Sequence, residues 1–289
     1  MDVATLIGQS IVNGLVLGTM YFLMAIGFTM VFGIMRVVNF AHGEFYMLGG
    51  FAVLYLFGSL HWYFLAALVG AALLVGVLGF AMERIIFRPF RGDELSGMIA
   101  ALGLSIVLQN TAALVFGAMP QSMPDVITGS VALGPVIIPF SRLMVIVLSF
   151  AILALLWLFI RFSRTGRAMR AMVQDSTAAT LQGMRPQRIY PIAFGMGAGL
   201  AALAGGIMAP VLTVEPFMGA IPLLKAFVVV ILGGLGSVMG AVLAGLGLGI
   251  FESFVSNFYG AAAADLLQFL LVITILLVRP QGLLGEKEV

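Results

Sequence analysis

Cysteine is absent from this chain, tryptophan and histidine occur twice each (the histidines are His42 and His61), and the only lysines are Lys225 and Lys287. Without cysteine there are no disulfides, no thiolate chemistry and no cysteine-ligated metal. Two separated histidines with no carboxylates clustered around them give no metal site. Neither lysine follows a G-x-x-x-x-G-K-[ST] loop, so the sequence offers no nucleotide site of its own and is not read as an enzyme. An intramembrane serine protease would need a serine facing a histidine, and Ser237 has no indicated partner. Charge is scarce as well. Asp, Glu, Lys and Arg make up 9% of the 289 residues, and formal net charge is +2. That small excess, concentrated in loops, gives no reason to expect a nucleic-acid partner.

What fills the sequence is hydrocarbon. Hydrophobic residues reach 62% and mean hydropathy is +1.17. A soluble domain carries about a quarter charged residues and could not hide this much apolar surface from water. With about 20 residues per span, the length accommodates about eight crossings. The expected fold is therefore an all-α polytopic transmembrane bundle with broken or re-entrant segments. No cleavable signal peptide is expected, because Asp2 stands where a basic region would precede the apolar core. Apolar stretches run over 5–35, 45–60, 63–82, 96–116, 143–160, 190–212, 222–256 and 262–278. The first is too long for one untilted span, so it either tilts or breaks near Gly14 to Gly27. Residues 117–141 read as a loop. No internal sequence repeat is evident.

Arginine and lysine set the orientation. Arg84, Arg88 and Arg91 place one loop in the cytoplasm. So do Arg161, Arg164, Arg167, Arg170, Arg185 and Arg188 in 161–189, and Arg279 and Lys287 in the tail. Parity then requires 222–256 to leave and return on the outer side, turning at Gly233-Gly234-Leu235-Gly236-Ser237. It also puts the N-terminus outside if 5–35 crosses once and inside if it crosses twice. Glycines four apart (Gly14 and Gly18, Gly195 and Gly199, Gly236 and Gly240, Gly245 and Gly249) predict close helix packing in lipid.

Two constellations carry chemistry. Asn39-Phe40-Ala41-His42-Gly43-Glu44 puts an amide, an imidazole and a carboxylate between two apolar spans. An ionised group at bilayer depth costs at least about 2.5–3.5 kcal/mol, so it tends to face a pathway or a partner. The alternative is an ordinary turn with Asn39 as a helix cap. The second constellation lies in 161–189 and reads as two short helices. Asp175 or Ser176 caps the second, Gly183 closes it in the left-handed conformation, and Pro186 prevents its continuation. Ala178, Ala179 and Leu181 give it a small apolar surface. A capped, ordered helix suits docking into a cytoplasmic partner better than a solvated loop does. Of the other polar residues, Gln109 and Asn110 read as cross-helix hydrogen bonders, Glu252 and Asp265 as exposed near an outer turn, and Lys225 and Glu215 as snorkelling.

The run Asn39 to Gly49 (NFAHGEFYMLG) resembles the signature of bacterial branched-chain amino-acid ABC permeases, specifically the H-type inner-membrane subunit. Asn13 to Tyr21 looks like that family's first span, Gly166 to Gly183 like its coupling loop, and Leu232 to Ser237 like its late glycine-rich segment. The resemblance implies a single permease domain over 1–289 in the inner membrane. It also implies a second homologous permease, two cytoplasmic ATPase subunits and a periplasmic binding protein as partners. It implies a coupling segment that includes Arg167, Arg170, Asp175, Ala178, Ala179 and Gly183. A pathway through the two interruptions, at Asn39, His42, Gly43 and Glu44 and at Gly233, Gly234, Gly236 and Ser237, is expected from the general behaviour of broken helices in transporters. No cofactor is expected. Related permeases move urea, short amides and aromatic acids, so a urea or amide importer stays open as an alternative, as does a stand-alone secondary transporter.

Overall fold

The computed structural model describes residues 3–134, 136–279 and 281–284. Asp2, Pro280 and Lys287, which bear on the signal peptide, the last span's end and the side of the tail, lie outside the described residues. Eleven helices in chain order account for nearly all of the rest: α1 (Val3–Met35), α2 (His42–Val53), α3 (Phe64–Met82), α4 (Glu94–Phe116), α5 (Phe140–Phe162), α6 (Arg164–Gln174), α7 (Ser176–Leu181), α8 (Pro186–Met208), α9 (Ala220–Gly233), α10 (Val238–Tyr259) and α11 (Ala261–Val278). Seven are long and apolar enough to cross a membrane, and α9 is a shorter apolar helix. α2 and α3 each run on into a π-helical turn, Leu54–Ser59 and Glu83–Phe87. Residues 117–141 are less plain than their composition suggested: β1 (Ser130–Leu133) and β2 (Val136–Pro139) form an antiparallel hairpin with Val131 opposite Ile138.

Packing fixes the directions of the helices relative to one another. Gly8 abuts Val136 of the hairpin, whereas Gly33 lies beside Val173 of α6. α1 is one unbroken helix; taking the arginine-rich α6 side as the inner face, it runs from outer to inner and its N-terminus lies on the outer side. The break near Gly14 to Gly27 does not occur; those glycines serve contact instead. A Cβ on Gly18 would stand 2.9 Å from the Leu246 backbone, and one on Gly245 would stand 2.8 Å from that of Phe22. α1 and α10 thus pack antiparallel, backbone to backbone, in the most extensive helix contact of the molecule. α3 and α8 pack the same way, with Gly76 and Gly79 against Gly195.

Two non-helical segments dip into the bilayer. At Arg36 the chain takes a left-handed turn (φ 53°) and climbs back to His42, whose ring lies beside Met24 and Gly27. At 1.5 Å per residue this is about 12–16 Å above the inner end of α1. From the outer end of α8, residues 209–219 descend until Gly219 meets Gly43. α2 and α9 therefore both begin at bilayer depth. α9 then runs to the inner face, turns at Gly234 and Gly236 (φ 99° and 87°), and α10 returns outward. With the arginine loops taken as inner, this departure and return with a turn at 233–237 matches what parity requires.

The arrangement is an inverted repeat. α1, a re-entrant segment, α2, α3 and α4 are matched in opposite orientation by α8, a re-entrant segment, α9, α10 and α11. The contacts are reciprocal, as a two-fold relation demands: a Cβ on Gly27 would stand 2.8 Å from the Gly197 oxygen, and one on Gly197 would stand 2.8 Å from the Gly27 oxygen. The symmetry lies in topology and backbone approach rather than in side-chain identity, which is why no sequence repeat announced it.

Candidate functional site

The re-entrant junction gathers Asn39, His42, Gly43 and Glu44. Asn39 does not cap α2. Its Oδ1 accepts the Ala41 N–H (3.0 Å) in an Asx-type turn that ends the climb. His42 lies 3.1 Å through Nε2 from the Met24 carbonyl, which can only accept, so Nε2 carries the proton. Glu44 is buried, and its Oε1 accepts from Ser105 Oγ (2.9 Å) and Gln109 Nε2 (2.7 Å) of α4. Gln109 therefore bonds across helices, while Asn110 bonds back to Ile106 of its own turn. Buried Asn39 Nδ2, His42 Nδ1 and Glu44 Oε2 make no hydrogen bond to the described residues. Gly43 lies against Gly219 and Leu223, not against 233–237. Gly233, Gly234, Gly236 and Ser237 instead form the inner-face turn, where Ser237 caps α10 through Gly240 N–H (3.0 Å). The segment that pairs with 39–44 is 209–219, whose composition reads only as the end of a span and a loop.

A second polar cluster is not evident from the sequence. Lys225 Nζ donates to Glu252 Oε2 and Asp265 Oδ1, each at 2.9 Å, and to Gln268 Oε1; the Tyr21 hydroxyl donates to the same Glu252 oxygen at 3.0 Å. These residues come from α9, α10, α11 and α1. Asp265 is exposed near the α10–α11 turn, as expected, but Glu252 is largely buried and the two acids are not separate: Lys225 does not snorkel to water and instead reaches inward to hold both. Asp265 and Gln268, three apart on an apolar helix, were the available signal.

At the inner face, Arg91 pairs with Glu83 through Nε at 2.9 Å and lies over the Tyr190 ring at 4.8 Å. This ties the α3–α4 turn to the start of α8. α4 itself starts on Asp93, which accepts from Ser96 N–H and Oγ. Those bonds, the hydroxyl's first, hold the Asp93 carboxyl below the usual carboxylate range.

The basic inner loop is two helices, as its caps implied. Ser163 caps α6, and Asp175 caps α7 by accepting from Thr177 and Ala178 N–H at 2.8 and 2.9 Å. Gly183 has φ 86°, and the Met184 N–H reaches back to Ala179 O (3.1 Å), closing α7 in a Schellman pattern. α6 buries Gly166, Met169 and Met172 against the bundle and leaves Arg167 and Arg170 exposed. Ala179 also packs inward, so the apolar surface offered outward is Leu181, 85% exposed, with half-buried Ala178 beside it.

Comparison with known proteins agrees with the resemblance. A family model described as branched-chain amino acid transport system / permease component matches residues 10–278. The chain is 36% identical to the high-affinity branched-chain amino acid transport system permease protein LivH of Escherichia coli, over 97% of this chain and 96% of that one. It is 37% identical to BraD of Pseudomonas aeruginosa, a permease protein of the same description, over the same shares. Similarity to the permease protein LivM of E. coli is lower, 28%, over 96% of this chain and 71% of the relative. No solved structure matches.

Proposed function

Because the chain belongs to the branched-chain amino acid transport permease family, we propose that it is the H-type permease subunit of an ATP-driven importer, carrying branched-chain amino acids across the inner membrane. The full-length similarity to LivH and BraD carries this reading. It favours an amino acid over urea or an amide, and an ATP-coupled assembly over a stand-alone carrier. The chain brings no nucleotide loop, so energy enters through partner ATPases. A second permease completes the pore, and a periplasmic binding protein delivers the substrate.

The mechanism arises from how the pieces are connected. α7 is held rigid by Asp175 and Gly183 and presents Leu181 to the cytoplasm between arginine-bearing flanks. A partner ATPase that grips it moves α6 and, through Met169 and Met172, the inner end of the bundle. Arg167, Arg170, Ala178 and Ala179 complete this coupling surface. Motion reaches α8 directly, since α8 begins at Pro186 just after the Gly183 cap. α8 carries Gly197 against α1 and Gly205 against α2, and both contacts border the re-entrant junction. We place the pathway beside that junction, at Asn39, His42, Gly43 and Glu44, and continue it past the Gly233, Gly234, Gly236 and Ser237 turn at the inner mouth. Irregular backbone at bilayer depth is tolerated where it lines such a cavity. Alternating access would then be a rocking of one half of the inverted repeat against the other.

The test is purification at native expression followed by reconstitution. ATPase subunits should accompany the chain, and vesicles should take up leucine only with ATP and the binding protein present. Leucine flux by this polypeptide alone, or uptake of urea but not of leucine, would overturn the reading.

A further inference from the structure

Charge at bilayer depth reaches the protein surface through the network around Lys225. Glu252 sits about 10 Å below the outer end of α10 and Asp265 about 6 Å below that of α11, at 1.5 Å per residue. Lys225 balances one of the two carboxylates, so with both ionised the network carries one uncompensated negative charge. It is not sealed in: the Asp265 side chain is 59% exposed and that of Glu252 is 17% exposed. Neighbouring surface on the same helices is apolar, with Ile221 and Leu224 on α9 and Leu266, Phe269 and Leu270 on α11 all exposed. A carboxylate opening onto lipid at this depth is strongly disfavoured. Water, a cationic group or the second permease must meet it.

We propose that Asp265 and Glu252, held by Lys225, Gln268 and Tyr21, form a site on the outer half of the water-filled pathway that receives a primary ammonium group, that of the amino acid in transit. The inference rests on the transport reading above and names the chemistry it would use. Lys225 spends its N–H groups on Glu252, Asp265 and Gln268, so it fixes the acids rather than binding a ligand itself. Tyr21 and Lys225 share Glu252 Oε2, which leaves Glu252 Oε1 and Asp265 Oδ2 without a hydrogen bond among the described residues. Two carboxylate oxygens beside an apolar wall suit an ammonium attached to a branched hydrocarbon side chain. The site also adjoins the junction, because α9 both begins against Gly43 and carries Lys225.

The chain's lack of cysteine makes the test direct. Phe269→Cys, one helical turn from Asp265, places a single thiol in this chain within the assembled transporter. It is treated from outside with two membrane-impermeant methanethiosulfonates, one cationic and one anionic. Both should react. Corrected for their rates with a free thiol, the cation should lead by about three- to fivefold, the Coulomb effect of one charge at about 8 Å in a watery site. Asp265→Asn, which keeps an acceptor for Lys225, should abolish that lead, and leucine with binding protein and ATP should slow the reaction. The same substitution should lower leucine uptake about tenfold with ATPase recovery unchanged. A thiol that reacts only after detergent unfolding would put this face against lipid or the second permease and overturn the site. So would equal rates for the two reagents, a preference that survives Asp265→Asn, or unaltered uptake. If Asp265→Asn fails to assemble, the charge preference in the Phe269→Cys protein decides alone. Leucine uptake by the unsubstituted transporter is measured in parallel: its absence would refute the transport reading, whereas normal uptake with a failed thiol test would refute this site only.

Discussion

Gly43 and Gly219 meet backbone to backbone, and a Cβ added to either would collide with the carbonyl group of the other. They stand at the starts of α2 and α9, the two helices that begin inside the bilayer. No side chain larger than hydrogen fits between two chains this close, and α2 and α9 anchor both backbones in place.

Gly43→Ala is therefore expected to destabilise the purified complex by about 1–3 kcal/mol through overpacking. Uptake should fall with it, because the junction must separate to relieve the clash. Gly103→Ala on α4, where an added Cβ meets nothing within 4 Å, should be neutral or slightly stabilising, by up to about 1 kcal/mol. Thermal unfolding of the two variants side by side checks the contrast.

Gly183→Val tests coupling by a different route. An added Cβ there also meets nothing within 4 Å, so crowding cannot explain an effect. The cost arises from φ 86°, which a β-branched residue resists by about 1–2 kcal/mol. Insertion should be normal, while ATP hydrolysis and uptake come apart. Gly183→Asn, which tolerates the left-handed region better, should retain more coupling. Equal uptake and equal stimulation of ATP hydrolysis in the valine variant would remove 175–183 from the coupling role.

Glu44→Leu removes the acceptor that Ser105 and Gln109 share. Assembly should persist, since a buried carboxylate is replaced by hydrocarbon, yet uptake should drop by about tenfold or more if the carboxylate serves the pathway. Uptake assays at matched protein recovery decide, and an undiminished rate would make Glu44 a packing residue.

Arg91→Ala leaves the Glu83 carboxylate, fully buried in the protein, without its counter-ion. Breaking such a pair costs about 3–5 kcal/mol, whereas replacing both members can be close to neutral. Glu83→Gln with Arg91→Met should therefore recover most of the stability lost by Arg91→Ala alone. A double-mutant cycle on unfolding midpoints measures the coupling. Additive effects would show that the α3–α4 turn is held to α8 by the contact of Arg91 with Tyr190 instead.

Most of the helices could be read from the sequence because each is a local event. Long apolar runs, arginine-rich breaks and the Asp175 and Gly183 caps all act within a few residues, and the structure places α6 and α7 where those caps implied. The re-entrant stretch 209–219 escaped notice because its depth is set by Gly43, which is remote in sequence, and not by its own composition. The Lys225 network is not legible for the same reason: its members lie on α1, α9, α10 and α11, and its charged residues, Lys225, Glu252 and Asp265, each read alone as snorkelling or exposed.

The sequence by itself determined the solvent, most of the helices and the family. These stem from transfer free energies and from short-range backbone preferences, which are summed along the chain. Only the tertiary structure decided that α2 and α9 start within the bilayer, that their first glycines touch, that the two halves are inverted copies, and which acids Lys225 holds. Those facts depend on which helices become neighbours, and neighbours are chosen by backbone approach between remote glycines, a property that no single segment contains.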